Sequence, residues 1–295
     1  MVIPGKLDKD YIFDKIQSIK SWLLNSGIQC IEEDQDCILG SFQCWYDLSK
    51  KNYPFAYSEI TGYGITTLLY LNHIAPDPSL IDRAIKAGDY LINFAQISRD
   101  GIFNDRYLYH RENFRPWLFS FDNAMCLNGF VNLYKQTKNK HYLDMAKKVG
   151  SWLINDMQKE DGSFFAVYDA DNKIYIDGYG KWSTQSEPFH TKNAIGLLNL
   201  YTVTKMDSFK KSAINVCDWA LTLQKENGRF INFLKKGYTH THPHIYAAEG
   251  LFCVGLILKN KEYIKSAKRA VDWILKNQFK NGGFPAWYID RKFLP

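Results

Sequence analysis

No uncharged apolar run in these 295 residues is long enough to cross a bilayer. The opening MVIPGKLDKDYIF lacks the basic-then-apolar order of a secretory leader, so a cytoplasmic protein is expected. The six cysteines form no CxxC pair. Cys126, Cys217 and Cys253 sit inside apolar helical patterns and read as buried thiols. Cys30, Cys37 and Cys44 are spaced by seven, which fits no zinc motif and leaves a disulfide among them open. No stretch rich in Pro, Gly or Ser divides the chain, so residues 1–295 read as one domain. Much of the net charge of +6 lies in KNKEYIKSAKRAVDWILK (259–276), which reads as a solvated helix face. With no recognition motif beside it, nucleic acid is not an expected partner.

What is present is 46% apolar and 23% charged, the balance of a globular chain. Aromatics reach 16%, more than a core needs, and such an excess commonly lines clefts. Five segments share an aromatic, a Gln and a Gly before a Phe: WLLNSGIQCIEEDQDCILGSF, YLINFAQISRDGIF, WLINDMQKEDGSF, WALTLQKENGRF and WILKNQFKNGGF. Their glycines, read as Gly40, Gly101, Gly162, Gly228 and Gly283, lie 61, 61, 66 and 55 residues apart. A period of that length marks a repeat architecture.

Each period holds two helical patterns. One is amphipathic: Ser79–Ile97, His141–Gln158, Ser208–Gln224 and Lys261–Gln278. The other is nearly uncharged: TGYGITTLLYLNHI, NAMCLNGFVNLY, NAIGLLNLYTVT and IYAAEGLFCVGLIL. Helices apolar all round are buried, and helices with one polar face lie at the surface. Four inner–outer pairs and a leading outer-type helix, Asp8–Asn25, predict an all-α, α/α toroid of about nine to ten helices. The ring is either closed or an incomplete six-hairpin barrel, and an open solenoid of hairpins shares the local reading.

The repeated W-x-x-x-x-Q-x-x-x-G-x-F pattern and the alternating helices resemble the six-hairpin glycosidase and terpenoid-cyclase toroid superfamilies. AYSEITGY (56–63), FDNAMCLNGFVNLYKQTKNKHYLDMA and THPHIYAAEGL are similar to helical-toroid proteins encoded with bacterial polysaccharide-biosynthesis genes. The resemblance implies a toroid that acts on, or binds, carbohydrate. A twelve-helix six-hairpin member is longer than this pattern of nine. Cyclase chemistry would need D-x-D-D or D-D-x-x-D, and neither occurs.

Connections from outer to inner helices are long and the reverse ones short, so the long loops gather at one end of the ring. Polar residues stand at the inner-helix starts there: Glu59 and Tyr63, then Asp122 and Asn123, then His190 and Lys192. His240, His242 and His244 precede the fourth inner helix, with Glu249 about a turn inside it. Alternation in YTHTHPHIY puts three histidines on one side if the segment is extended, as Pro243 favours for His242. A metal is one reading of them, but no carboxylate pair at ligand spacing accompanies them. Neither metal nor other cofactor is expected. Glu59, Asp122, His240, Tyr246 and Glu249 are the candidate catalytic groups, with first-turn helix acids as the competing reading of Glu59 and Asp122. Tyr63, His190, His242 and His244 are candidate substrate contacts, joined by Arg106, Arg111, Arg115, Trp117, Tyr179 and Trp182 from the loops. Arginines grip carboxylates in bidentate fashion, and flat aromatic rings pack on sugar faces.

The expected function is an enzyme acting on a polysaccharide or oligosaccharide, uronate-containing ones included. Hydrolysis would use a pair of the carboxylates. A lyase or C5-epimerase would use a His or Tyr base beside a carboxylate-neutralising Arg. A non-catalytic glycan-binding or scaffold protein is the alternative. Oligomeric state is not legible.

Overall fold

The computed structural model describes residues 8–32, 38–95, 106–107, 117–178, 180–289 and 292–294. Among these residues lie nine α-helices: α1 (Lys9–Asn25), α2 (Ser58–Ile74), α3 (Pro78–Tyr90), α4 (Ser120–Thr137), α5 (Lys140–Trp152), α6 (Asn193–Thr204), α7 (Asp207–Thr222), α8 (Thr241–Leu258) and α9 (Lys261–Leu275). Helices α2, α4, α6 and α8 pack on one another in chain order, and α3, α5, α7 and α9 pack outside them. The result is the α/α toroid that the two helix types predict. Cys30 is disulfide-bonded, whereas Cys44, Cys126, Cys217 and Cys253 are free thiols. No helix of the described residues is long and apolar enough to cross a membrane.

Glycine sets the spacing of the inner layer. A Cβ on Gly62 of α2 would lie 2.7 Å from the Cys126 nitrogen of α4, and one on Gly196 of α6 would lie 2.8 Å from the Ala124 oxygen. These helices touch backbone to backbone, which larger residues would prevent. The neighbour of Gly64 is the Phe42 ring. The two glycines after Glu59 therefore serve packing rather than the approach of a ligand.

The repeated Gln-to-Phe signature is a clamp between successive outer helices. Gln158 Nε2 donates to the Gly162 carbonyl within its own turn and to the Ser212 carbonyl of α7. Gln224 does the same with Gly228 and Ser266 of α9, and Gln29 with Gly40 and Arg83 of α3. The glycine adopts φ near +90°, a region that favours Gly, and lies against the next outer helix at Lys86, Asn215 or Arg269. The following Phe42, Phe164 or Phe230 is buried. In the last copy the φ of +87° belongs to Gly282, not to Gly283 as the sequence spacing suggested. There, among the described residues, the Gln278 side chain bonds Gly282 alone, Gly282 faces open space and Phe284 is exposed.

The outer helices end in two ways, and one residue decides which. Six positions separate Tyr90 from Gln96 and Trp152 from Gln158, and both stretches contain a π-helical turn, Leu91–Ala95 and Leu153–Met157. Five positions separate Trp219 from Gln224 and Trp273 from Gln278, and neither stretch has one. In α5 the π turn absorbs the inserted residue, and Gln158 still reaches the Ser212 carbonyl.

Short strands within the long loops were not expected from the sequence. β1 (Ala56–Tyr57) pairs with β2 (Arg106–Tyr107). β3 (Trp117–Phe119), β4 (Val167–Asp169) and β5 (Ile174–Ile176) form an antiparallel sheet, as do β6 (Thr239–His240), β7 (Trp287–Ile289) and β8 (Lys292–Leu294). β1, β3 and β6 run directly into α2, α4 and α8. They fix the direction in which each inner helix starts.

Candidate active site

The inner helices α2, α4 and α8 begin from extended residues, Tyr57, Phe119 and His240, with no side-chain cap. The outer helices α3, α5 and α9 are capped by Asp77, Asn139 and Asn260. Uncapped N-termini leave backbone N–H groups and the positive end of the helix dipole at the site, which favours acids there. Glu59 lies in the first turn of α2 and Asp122 in that of α4.

These groups meet around Tyr246. Burial pushes its phenol up to about 12, with the charge of Glu59 next in effect and those of Glu249 and Asp122 adding to it. The Tyr63 phenol is pushed up by burial, by Tyr246, and by Glu59 and Glu249. Both tyrosines therefore stay protonated near neutrality and can donate hydrogen bonds. Asp122 and Glu59 also act together on the buried Cys126 thiol, whose Sγ lies 3.3 Å from the Ser58 carbonyl oxygen. Glu59, Tyr63, Asp122, Tyr246 and Glu249 thus converge from three different inner helices.

Lys192 completes this group, although sequence reasoning noted it only as a residue at an inner-helix start. Its side chain is buried and its Nζ lies 2.9 Å from Glu249 Oε2. The same ammonium sits 4.0 Å from the centre of the Tyr246 ring and 4.7 Å from that of Tyr63. The signal was a lone Lys in the otherwise uncharged stretch PFHTKNAIGLL, where a buried cation needs a partner. Glu249, the lone acid of the inner-helix runs in its half of the ring, is that partner.

The opening of the site is aromatic. Trp182 stacks on His242 at 5.2 Å, and Tyr246 meets the His242 ring edge-on at 4.5 Å. Phe121 stacks on Tyr246 at 5.2 Å. Burial of the ring between Trp182 and Tyr246, and then the charge of Lys192, lower the His242 pKa, although part of the residue remains open to solvent. His240 lies 6.2 Å from His242 and packs edge-on against Trp287 at 4.4 Å. Its pKa is pushed down to about 4 by burial and by His242, and its Nδ1 is buried with no hydrogen-bond partner among the described residues.

The three alternating histidines do not share a face. α8 starts at Thr241, so His242 and His244 are helical residues pointing to different sides. Pro243 is tolerated because the first turn of a helix needs no N–H from it. His244 is a core residue: Nδ1 accepts from the Phe230 N–H at 3.2 Å and Nε2 donates to the Ala270 carbonyl at 3.0 Å. His190 is also fully buried, closing a capping box with Glu187 ahead of α6. Neither has a surface to offer a substrate, which corrects their assignment as contacts.

Trp117 donates from Nε1 to Asp169 at 3.1 Å and so braces the β3–β4 pair. The backbone of Arg106 pairs with Tyr57 beside the start of α2. Arg111, Arg115 and Tyr179 lie outside the described residues. Among the described residues no three His, Cys, Asp or Glu side chains gather as a metal site.

Two cavities of similar volume bear on the choice of site. A cleft of about 550 Å³ lies between α5 and the β4–β5 hairpin, lined by Lys147, Trp152, Asp156, Tyr168 and Tyr175. A groove of about 520 Å³ runs from His242, Tyr246 and Glu249 along α8 to Val271, Leu275 and Phe284. The groove leaves that flank of the site open.

No protein-family model matches this sequence, and no curated protein matches it. Solved structures do share its fold. A family 76 α-mannanase from Bacteroides thetaiotaomicron superposes with a TM-score of 0.76 at 13% identity, over 98% of this chain and 75% of that one. A sugar epimerase from a ruminal bacterium gives 0.77 at 9% identity, over 96% and 76%. Cellobiose 2-epimerase from Bacillus thermoamylovorans gives 0.74 at 13% identity, over 96% and 77%. The fold shared with these structures is the α/α toroid, and this chain spans about three-quarters of the length of each.

Proposed function

We propose that this chain is a carbohydrate-active enzyme that works on an oligosaccharide or polysaccharide by general acid–base catalysis at the inner-helix starts. The observation that carries this reading is the convergence of Glu59, Asp122 and Glu249 on the Tyr246 phenol, beside the Trp182–His242 stack. Acids from separate helices flanking an aromatic surface suit a sugar ring held flat with its glycosidic oxygen between carboxyl groups. The fold neighbours, a mannanase and two sugar epimerases, support carbohydrate as the substrate class. The likeness to toroids encoded with polysaccharide-biosynthesis genes supports a role in polysaccharide assembly or turnover.

In the hydrolytic form, one carboxylic acid, Glu59 or Asp122, protonates the glycosidic oxygen as its bond to the anomeric carbon breaks. The other carboxylate attacks that carbon or deprotonates the attacking water. Tyr63 and Tyr246 remain protonated and donate hydrogen bonds to sugar hydroxyls. Lys192 offsets the charge of Glu249, so three acids can share the site.

A second reading has its own observation. Burial and then Lys192 lower the His242 pKa, and the residue sits beside Tyr246 exposed to solvent, which suits a base for proton abstraction. That chemistry gives epimerisation, or elimination from a uronate. One experiment separates the readings: incubation with neutral and uronate-containing oligosaccharides, followed by reducing-end assay, ultraviolet absorbance and proton NMR. Hydrolysis gives new reducing ends without absorbance, elimination gives absorbance, and epimerisation gives deuterium incorporation from heavy water without cleavage. Binding with none of these products would overturn the enzymatic reading in favour of a glycan-binding scaffold.

A further inference from the structure

Between α7 and α8 two turns meet around one arginine. The first, Lys225–Arg229, is closed by the Lys225 N–H on the Arg229 carbonyl. The second, Phe233–Tyr238, is closed by the Lys236 and Gly237 N–H groups on the Phe233 carbonyl. Arg229 joins them, because its Nη1 donates to the Gly237 carbonyl at 3.1 Å and to Thr239 Oγ1 at 2.9 Å. Its guanidinium carbon lies 4.7 Å from the centre of the Tyr288 ring. These contacts fix the guanidinium while using one of its nitrogens. The Nε–Nη2 edge, a fork suited to two parallel bonds with an oxyanion, makes no hydrogen bond among the described residues.

A cavity of about 380 Å³ opens between the turns, lined by Lys225, Asn227, Arg229, Lys236, Tyr238 and Tyr288. Every ionised side chain in that lining is a cation. Residues 225–238 carry Lys225, Arg229, Lys235 and Lys236 against Glu226 alone. Among the described residues, Lys20, Lys147, Lys159 and Lys192 pair with carboxylates, whereas Lys225, Arg229 and Lys236 have none and Glu226 pairs with no cation. Arg229 is half-buried, and burial lowers its pKa. A charge drawn out of water needs a countercharge. Three cations around one cavity leave that place to a ligand.

We propose that this cavity binds an oxyanion, with Arg229 Nε and Nη2 on two of its oxygens and Lys225 and Lys236 supplying the remaining charge. The source of the oxyanion rests on the carbohydrate reading above: it is the uronate carboxylate or the phosphate of an acidic glycan. Position favours a role beside the catalytic groups. Thr239 pairs with Tyr288 and His240 with Trp287, on opposite faces of the β6–β7 ribbon. Thr239, which Arg229 holds, is three residues from His242, a reach of at most about 11 Å along the chain. An acidic oligosaccharide crossing the ribbon is then held by its charge on one side and presented to the inner-helix starts on the other.

Arg229 braces both turns, so the test uses Lys225→Gln with Lys236→Gln, two exposed positions, with folding verified by circular dichroism. Calorimetric titrations of the full chain would use tetragalacturonate, mannose 6-phosphate, inorganic phosphate and, as the neutral control, mannotetraose. The wild type is expected to bind at least one of the two acidic sugars, and the double variant to bind it about tenfold more weakly or worse. Mannotetraose affinity is expected to be the same in both proteins. A wild type that binds none of the three oxyanion probes overturns the proposal, and so does a variant that binds them as tightly as the wild type. Mannotetraose binding without either acidic sugar also overturns it and leaves the carbohydrate reading standing. Inorganic phosphate bound by the wild type and lost in the variant, with no sugar bound, upholds the cavity and removes the carbohydrate reading instead.

Discussion

Glu59 is the residue on which the enzymatic reading leans most. In the first turn of α2 it has an ordinary role open to it, complementing the helix dipole for about 0.3–1 kcal/mol. As a proton-transfer group it is worth far more to the rate. Glu59→Gln keeps shape and hydrogen bonding and removes the titrating group, so turnover is expected to fall by ~10²–10⁴ with little change in melting temperature. Unchanged turnover with a slightly lower melting point would return Glu59 to the helix. The buried histidines give a second prediction. Free imidazole titrates near 6.5, but burial pushes His190 down to about 3 and His244 to about 4. Between those values the unfolded chain binds protons that the folded chain refuses, so stability rises with pH up to 6.5. Glu187 has the opposite sign, since burial lifts its carboxyl from 4.5 to about 8 and the folded chain keeps a proton the unfolded chain has lost. Stability should therefore peak near pH 6.5 and decline towards 8, as urea titrations across that range would read. Glu187→Gln should flatten the alkaline side.

At the scale of the element, the clamp makes a prediction that two sister positions share unequally. Gln224→Ala strips donors from the Gly228 and Ser266 carbonyls and the acceptor of the Ser266 hydroxyl, which should cost about 1–3 kcal/mol. Gln278→Ala removes one exposed bond and should cost about 0.5 kcal/mol or less. Equal losses in urea unfolding would dismiss the clamp as a source of stability. This element was legible as a repeat but not as a mechanism, because the carbonyl it grips lies some fifty residues away, where sequence spacing has no reach. The two helix types were legible from charge alone. The π turns were not, since a one-residue difference in spacing reads as noise until the Gln has a fixed target. His244 was misjudged because α8 starts earlier than Pro243 suggested, and one added helical turn sends alternating residues to different sides. Lys192 was visible as a cation among apolar neighbours, but its pairing with Glu249 crosses between helices. Of the loops that frame the site, the short strands escaped notice because two or three residues carry no readable alternation.

At the scale of the molecule, the nine helices of the described residues form an α/α toroid that covers about three-quarters of the length of the structures it superposes on. A closed toroid would wall the inner-helix starts on every side. Here the groove along α8 leaves one flank open, so long substrates could enter sideways, and the cleft at α5 offers a rival surface of similar volume. The central claim is that the inner-helix starts, and not that outer cleft, hold the sugar. Its most direct test is a crystal of the chain soaked with a mannose-containing or uronate-containing oligosaccharide. A sugar ring on Trp182 and His242, with hydroxyls reaching Glu59, Asp122 or Tyr246, is the predicted result. Sugar density between Trp152 and Tyr175, with the groups around Tyr246 untouched, would contradict it.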